Sequence, residues 1–197
     1  RPEDYTITTE AKSSGKEEKP MKEERMAILS MLEKGLINVD EAERLLTVLQ
    51  NGAGLEKDGL GKAVGSALEN HIEEILIKCG IRYDRTKITE NKSKPDFIFP
   101  GIAEYGDTTF PSARLTMLGV KSTCKDRWRQ VLAEADRIDD KHLLTLEPAI
   151  STAQTDEMKD KRLSLVIPKG LHSSYTAAQQ EWLMTFTNFI EEVRGRQ

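Results

Sequence analysis

A mixed α/β sheet covered by helices is the architecture this sequence predicts, on two observations. Short β-type runs rich in Val, Ile, Leu, Phe and Thr recur through the chain, and segments with helical apolar spacing lie between them. The runs fall at Ile81 to Tyr83, Asp96 to Phe99, Leu115 to Lys121, His142 to Leu146 and Leu163 to Ile167. The helices fall at Ser66 to Cys79, Asp126 to Ile138 and Tyr175 to Arg194.

Each part has its own reason. Residues 1 to 20 are almost wholly polar and cannot bury enough surface to offset their ordering entropy, so they read as a tail. Met26, Leu29 and Leu32 stand at helical spacing before Gly35; a second helix opens at Asn38, with Glu41 in the capping position, and stops at Asn51-Gly52. Residues 21 to 52 therefore read as a small helical hairpin. Gly52 to Gly65 reads as a loop and lacks the spacing of a phosphate-binding P-loop. Leu68, Ile72, Ile75, Leu76 and Cys79 mark the amphipathic helix on which the main domain, within residues 53 to 197, begins, and Gly80 ends it.

Composition narrows the function. The chain has 197 residues, 38% hydrophobic and 31% charged, enough for one sizeable core. Its apolar runs are too short to span a bilayer, and the polar opening does not read as a signal peptide, so a cytoplasmic protein with no membrane partner is expected. Cys79 and Cys124 are too few for a disulfide framework and lack zinc-site spacing, which suits a reducing compartment. The net charge of −4 argues against a phosphate partner only on average. Arg114, Lys121, Lys125, Arg127 and Arg129 form a basic stripe interrupted by Asp126 alone, while much of the acid lies elsewhere.

Chemistry concentrates in the same region. In Lys94-Pro95-Asp96-Phe97-Ile98-Phe99 a carboxylate opens a strand directly after a proline. In many phosphodiesterase sites a neighbouring strand then carries (Asp/Glu)-x-Lys, which alternation places on one face beside that aspartate. Here the lysine is Lys121, but the residue two before it is Gly119. Glu134, on the helix expected after Lys121, is the candidate to supply the missing acid. Asp96 and Glu134 would then offer hard oxygen ligands to Mg²⁺, with Lys121 steadying a phosphate oxygen and the attacking water.

The stretches Lys94 to Pro100, Val120 to Leu132, Glu134 to Ile138 and Lys141 to Leu146 resemble the catalytic domain of type II restriction endonucleases of the EcoRII and PspGI branch. The Lys-Ser-Thr-Cys-Lys-Asp-Arg-Trp-Arg-Gln block is the most specific part, and the resemblance spans roughly residues 60 to 195. It implies a restriction-endonuclease-like PD-(D/E)xK core with the glutamate displaced onto the helix after the lysine, hence Asp96, Lys121 and Glu134. It also implies a CCWGG-type duplex target, read by Lys125, Asp126 and Arg127 and engaged by a homodimer that flips the central bases out. Lys or Arg suits guanine O6 and N7, and Asp suits cytosine N4. Arg129 is expected as a further DNA contact, and for Arg127 and Arg129 the alternative is phosphate contact without sequence information. Tyr105 is a candidate catalytic phenol, with loop anchoring as the alternative, and Glu69 on the first core helix is a weaker acid candidate. His172 has no catalytic partner at recognisable spacing and reads as structural.

Overall fold

The structure is a computed structural model that describes residues 28–29, 57–124 and 127–197. The tail expected over residues 1–20 lies outside the described residues, and so does the hairpin expected over 21–52 apart from helical Ile28 and Leu29. Lys125 and Asp126 are outside them too.

Helix α1 (Lys57–Lys78) leads to strand β1 (Asp84–Arg85), strand β2 (Phe97–Phe99) and short helix α2 (Ile102–Gly106). Strand β3 (Thr116–Lys121), helix α3 (Trp128–Leu132), strand β4 (Lys141–Thr145), helix α4 (Thr152–Asp160) and strand β5 (Leu163–Val166) follow. Helices α5 (Ala177–Gln180) and α6 (Phe186–Arg196) close the fold. The five strands stand in the order β1-β2-β3-β4-β5. The first three are antiparallel neighbours, while β3, β4 and β5 run parallel through the crossovers that contain α3 and α4.

Alternation along the strands splits the core in two. Phe97, Phe99, Leu118, Val120, Leu144 and Val166 pack with Leu68, Ile72 and Leu76 of α1 and Phe189, Ile190 and Val193 of α6; Ile28 joins this layer. Ile98, Met117, Leu143 and Leu165 face the other way, onto Trp128, Val131 and Met158 of the crossover helices. Arg129 ties α3 to α4 through Glu157 at 2.8 Å.

Several boundaries differ from expectation. Helix α1 extends back through residues read as a Gly-rich loop. It stops where expected: Gly80 has φ +66°, and the Ile81 and Gly80 amides return to the Leu76 and Ile77 carbonyls at 3.0 Å each. Because Ile81 is used in that cap, the edge strand starts at Asp84 rather than at 81. Two helices replace the single one expected over 175–194, since Met184 bridges to Val166 between them. The helix expected over 126–138 ends at Leu132, and Ala135 takes φ +52°.

Candidate active site

Asp96 enters the sheet directly after buried Pro95 and is held on two sides. Its carbonyl accepts the Thr86 amide at 3.1 Å, and its carboxylate Oδ2 accepts the Val120 amide at 2.6 Å. The same oxygen takes the Lys121 ammonium at 2.9 Å, an ion pair whose side chains are only 14% and 19% exposed. Strand register brings this about, because Phe97 lies opposite Leu118 and so carries Asp96 alongside the end of β3.

Gly119 stands where the usual second acid would be, and packing explains it. A Cβ built there would lie 2.8 Å from Cγ2 and 3.1 Å from Cγ1 of Val131 on α3. The helix has closed onto the sheet over the position a carboxylate would need, and Glu134 arrives from the end of the same helix. Gly119→Ala is expected to cost about 1–3 kcal/mol by overpacking a closed core. Denaturant unfolding checks it: in a Val131→Ala background that cost should fall by more than half, and an undiminished cost would refute the packing account.

Glu134 lies just past α3 rather than on it, in a bend whose amide reaches the Val131 carbonyl at 3.2 Å. Ser93 Oγ donates to the Ala133 carbonyl at 3.3 Å, linking the segment that carries Asp96 to the turn that carries Glu134. The Glu134 Oε2 atom is buried without a hydrogen-bond partner. Burial, partly offset by Lys121, and the nearby Asp96 charge push its carboxyl up to about 7.

Other candidates are engaged differently. The Tyr105 hydroxyl donates to Glu90 and accepts the Arg137 amide at 3.3 Å, and burial pushes its phenol up. The Arg137 guanidinium donates to the carbonyls of Tyr105, Asp107 and Phe110, so Tyr105 and Arg137 together fix the α2 loop against the Glu134 turn. Glu69 accepts from Arg85 at 2.8 Å, and Glu73 takes the other guanidinium nitrogen at 2.6 Å. Arg127 is exposed at the start of α3. Arg129 lies over the Trp128 ring, 4.5 Å from its centroid, in addition to its pair with Glu157. The His172 Nε2 atom contacts the Ile167 carbonyl at 2.9 Å.

Two residues that the sequence reading passed over shape the site. Glu147 accepts the Cys124 amide at 3.0 Å, anchoring the chain just before Lys125. Burial, then the Glu147 charge, pushes the Cys124 thiol up to about 12, so it is inert as a nucleophile. Lys141 is buried on the strand beside β3, with its ammonium on the carbonyls of Ala135 and Ile138. A Lys just before a predicted strand, or a Glu just after one, carries little signal alone; what these two hold in place is decided by the folded sheet.

A divalent cation fits this chemistry. The buried Glu134 Oε2, which has no hydrogen-bond partner, and the Asp96 carboxylate are hard oxygen donors, and the Asp96 charge is among the influences that raise the Glu134 carboxyl. Among the described residues no cluster of three or more His, Cys, Asp or Glu forms. Two carboxylates, completed by water and phosphate oxygens, are what an Mg²⁺-type site needs.

A mixed sheet between helical layers, with an Asp–Lys pair at the β2–β3 junction and a glutamate on the following turn, defines the restriction-endonuclease-like class. The protein family model described as EcoRII C terminal matches residues 21–190, and the chain belongs to that family. It is 43% identical over 173 residues to the type II restriction enzyme EcoRII of Escherichia coli, covering 87% of this chain and 41% of that protein. Thus the chain spans well under half the length of that relative. Metal-depleted Ecl18kI in complex with uncleaved DNA has a TM-score of 0.63 at 20% identity, covering 91% of this chain and 64% of that one. The restriction endonuclease PspGI in its substrate DNA complex has a TM-score of 0.59 at 17% identity, over 90% and 80% of the two chains. Among the described residues no helix is long and apolar enough to cross a membrane.

Proposed function

We propose that this chain is a Mg²⁺-dependent, sequence-specific endonuclease of double-stranded DNA, acting as a homodimer on a CCWGG-type site. The observation that carries the reading is the Asp96–Lys121 pair at 2.9 Å, together with the half-buried Glu134, whose buried Oε2 has no protein partner. The family's restriction enzymes supply the substrate class. Asp96 and Glu134 would hold the cation; when bound, it supplies Lewis-acid polarisation of the scissile phosphate and favours ionisation of the attacking water. Lys121 stabilises the charge that builds on the phosphate oxygens, because its ammonium is fixed at the end of β3 in a partly buried setting. Asp96 is kept in place by the Val120 amide, so little reorganisation is needed when substrate arrives.

In this reading Lys125, Asp126 and Arg127 contact the outer base pairs, and Glu147 holds the chain leading into them. Arg129 contributes to the DNA face from its seat on Trp128, and Tyr105 serves through the Arg137 turn rather than by touching phosphate. Glu69 supports the site through Arg85. The central pair of an odd-length site lies on the dimer axis, where two equivalent subunits cannot contact it equally. Flipping both central bases resolves this, at a cost of a few kcal/mol that is least for a weak pair. The free thiols Cys79 and Cys124 suit a prokaryotic cytoplasm.

Incubation with Mg²⁺ and a plasmid of known sequence, followed by mapping of the ends, tests the reading. Ends confined to CCWGG-type sites are expected. Ends scattered without sequence would make the chain a relaxed nuclease effector, and no cutting despite duplex binding would make it a binding module. A 2-aminopurine at the central position is expected to brighten on binding, and a saturated complex that stays dark would rule out flipping.

A further inference from the structure

We propose that Lys141 is a positioning residue for the metal site: its buried ammonium clamps the turn that presents Glu134. The inference rests on the reading of Glu134 as a metal ligand. Lys141 stands at the start of β4 and is 7% exposed. Its Nζ donates to the Ala135 carbonyl at 3.3 Å and to the Ile138 carbonyl, and both bonds fall within the few residues after Glu134.

A lysine side chain is almost never buried this fully unless its charge is matched, because desolvation penalises the ammonium. Burial accordingly lowers its pKa, and the surrounding acids Asp136, Asp139 and Glu134 act in the opposite direction, as Arg162 does not. Two backbone carbonyls take Nζ, and they belong to a turn that has left the helix early. Ala135 sits there at φ +52°, a conformation that an L-residue adopts reluctantly, and nothing in its own side chain stabilises it. The Ile138 amide closes the turn onto the Ala135 carbonyl at 2.9 Å, so that oxygen receives both the amide and the ammonium. The backbone of Lys141 is itself pinned, its amide donating to the Arg162 carbonyl at 3.1 Å. The clamp therefore runs from the rigid sheet to the turn, and the Glu134 carboxylate depends on it for its place beside Asp96.

Lys141→Met keeps an unbranched side chain only one atom shorter and removes the ammonium with both its hydrogen bonds, whereas Lys141→Arg keeps charge and donors. Mn²⁺ binding by calorimetry, in the absence of DNA, is the primary readout; melting in chelator and amide exchange at residues 134–138 accompany it. Groups that orient metal ligands typically contribute about 10–100-fold to affinity. Lys141→Met is expected to weaken Mn²⁺ binding by about tenfold or more and to speed exchange in the turn, with Lys141→Arg closer to wild type. If Lys141→Met does not melt cooperatively, Lys141→Gln, which loses the charge and has a shorter, neutral amide, takes its place with the same expected direction. Unchanged Mn²⁺ affinity in a folded neutral variant, while Glu134→Gln loses binding, overturns the clamp and leaves the metal site standing. Unchanged affinity in Glu134→Gln as well overturns the metal assignment itself.

Discussion

Glu134→Ala, Asp96→Ala and Lys121→Ala are each expected to lower the rate of DNA cleavage by about a thousandfold or more, ~4 kcal/mol of barrier. The size follows from the geometry. Asp96 accepts both the Val120 amide at 2.6 Å and the Lys121 ammonium at 2.9 Å, so removing it deletes a ligand and frees the lysine together. Removing Lys121 leaves charge on the phosphate oxygens without its fixed partner. Removing Glu134 takes away the remaining carboxylate of the pair, and Gly119 cannot be given an acid in its stead because Val131 fills the space at 2.8 Å. Single-turnover cleavage in Mg²⁺ measures the loss, and gel shifts in Ca²⁺ check that each variant still binds duplex. Wild-type cutting by Glu134→Ala would transfer the second acid to Glu69, which would then have to leave Arg85 at 2.8 Å.

How far the sequence could carry this reading depended on the range of each interaction. Pro95-Asp96 at a strand start and Lys121 at a strand end are local patterns, and the sheet registers them as alternation requires. The second acid was different. Gly119 announces an absence; the helix expected after Lys121 offered Glu134 as a candidate and resemblance strengthened it, but the contact that makes the glycine necessary comes from Val131 in another element. The same helix was expected to continue to Ile138. No Gly or Pro marks its true end; the break at Ala135 is stabilised by Lys141 from the sheet, a tertiary contact with no local signature.

Helix α4 went unread for the opposite reason. It is polar over most of its length, with only Thr155 and Met158 buried, so apolar periodicity is faint. Its signal was the cap: Ser151 Oγ accepts the Gln154 amide at 3.3 Å, a Ser-x-x-Gln pattern visible in the sequence. At the other end of the core, Leu68, Ile72 and Leu76 were legible because one face of α1 is wholly apolar, but its extension through glycines at 59, 61 and 65 runs against propensity. Arg129 illustrates the limit for charge. A basic stripe reads as a DNA footprint, and nothing in that pattern shows that this arginine also lies over Trp128 and pairs with Glu157, tying the two crossover helices together.

The buried acid makes stability depend on pH in a direction that can be worked out. Glu134 is raised from 4.5 to about 7 in the folded chain, first by burial and then by the Asp96 charge, with Lys121 and Lys141 opposing. A raised folded pKa means that between those two values the native state holds a proton that the unfolded chain has released. The stability linked to this proton is therefore fully present below about 4.5 and is lost as pH rises through about 7. Allowing for solvent that reaches the half-buried carboxylate, the loss is about 2 kcal/mol. Glu134→Gln removes the ionisation while keeping a neutral group of the same shape. In metal-free buffer the Gln variant is expected to melt higher than wild type at pH 8 by roughly 4–8 °C, with the gap closing toward pH 5. Divalent cation should raise the melting temperature of the wild type at pH 8 and leave the variant nearly unmoved, since binding to the native state alone stabilises it. Scanning calorimetry at pH 5, 6.5 and 8 decides the matter: a gap that stays constant across the series means that Glu134 does not carry the strained charge on which both its metal affinity and its place in the site depend.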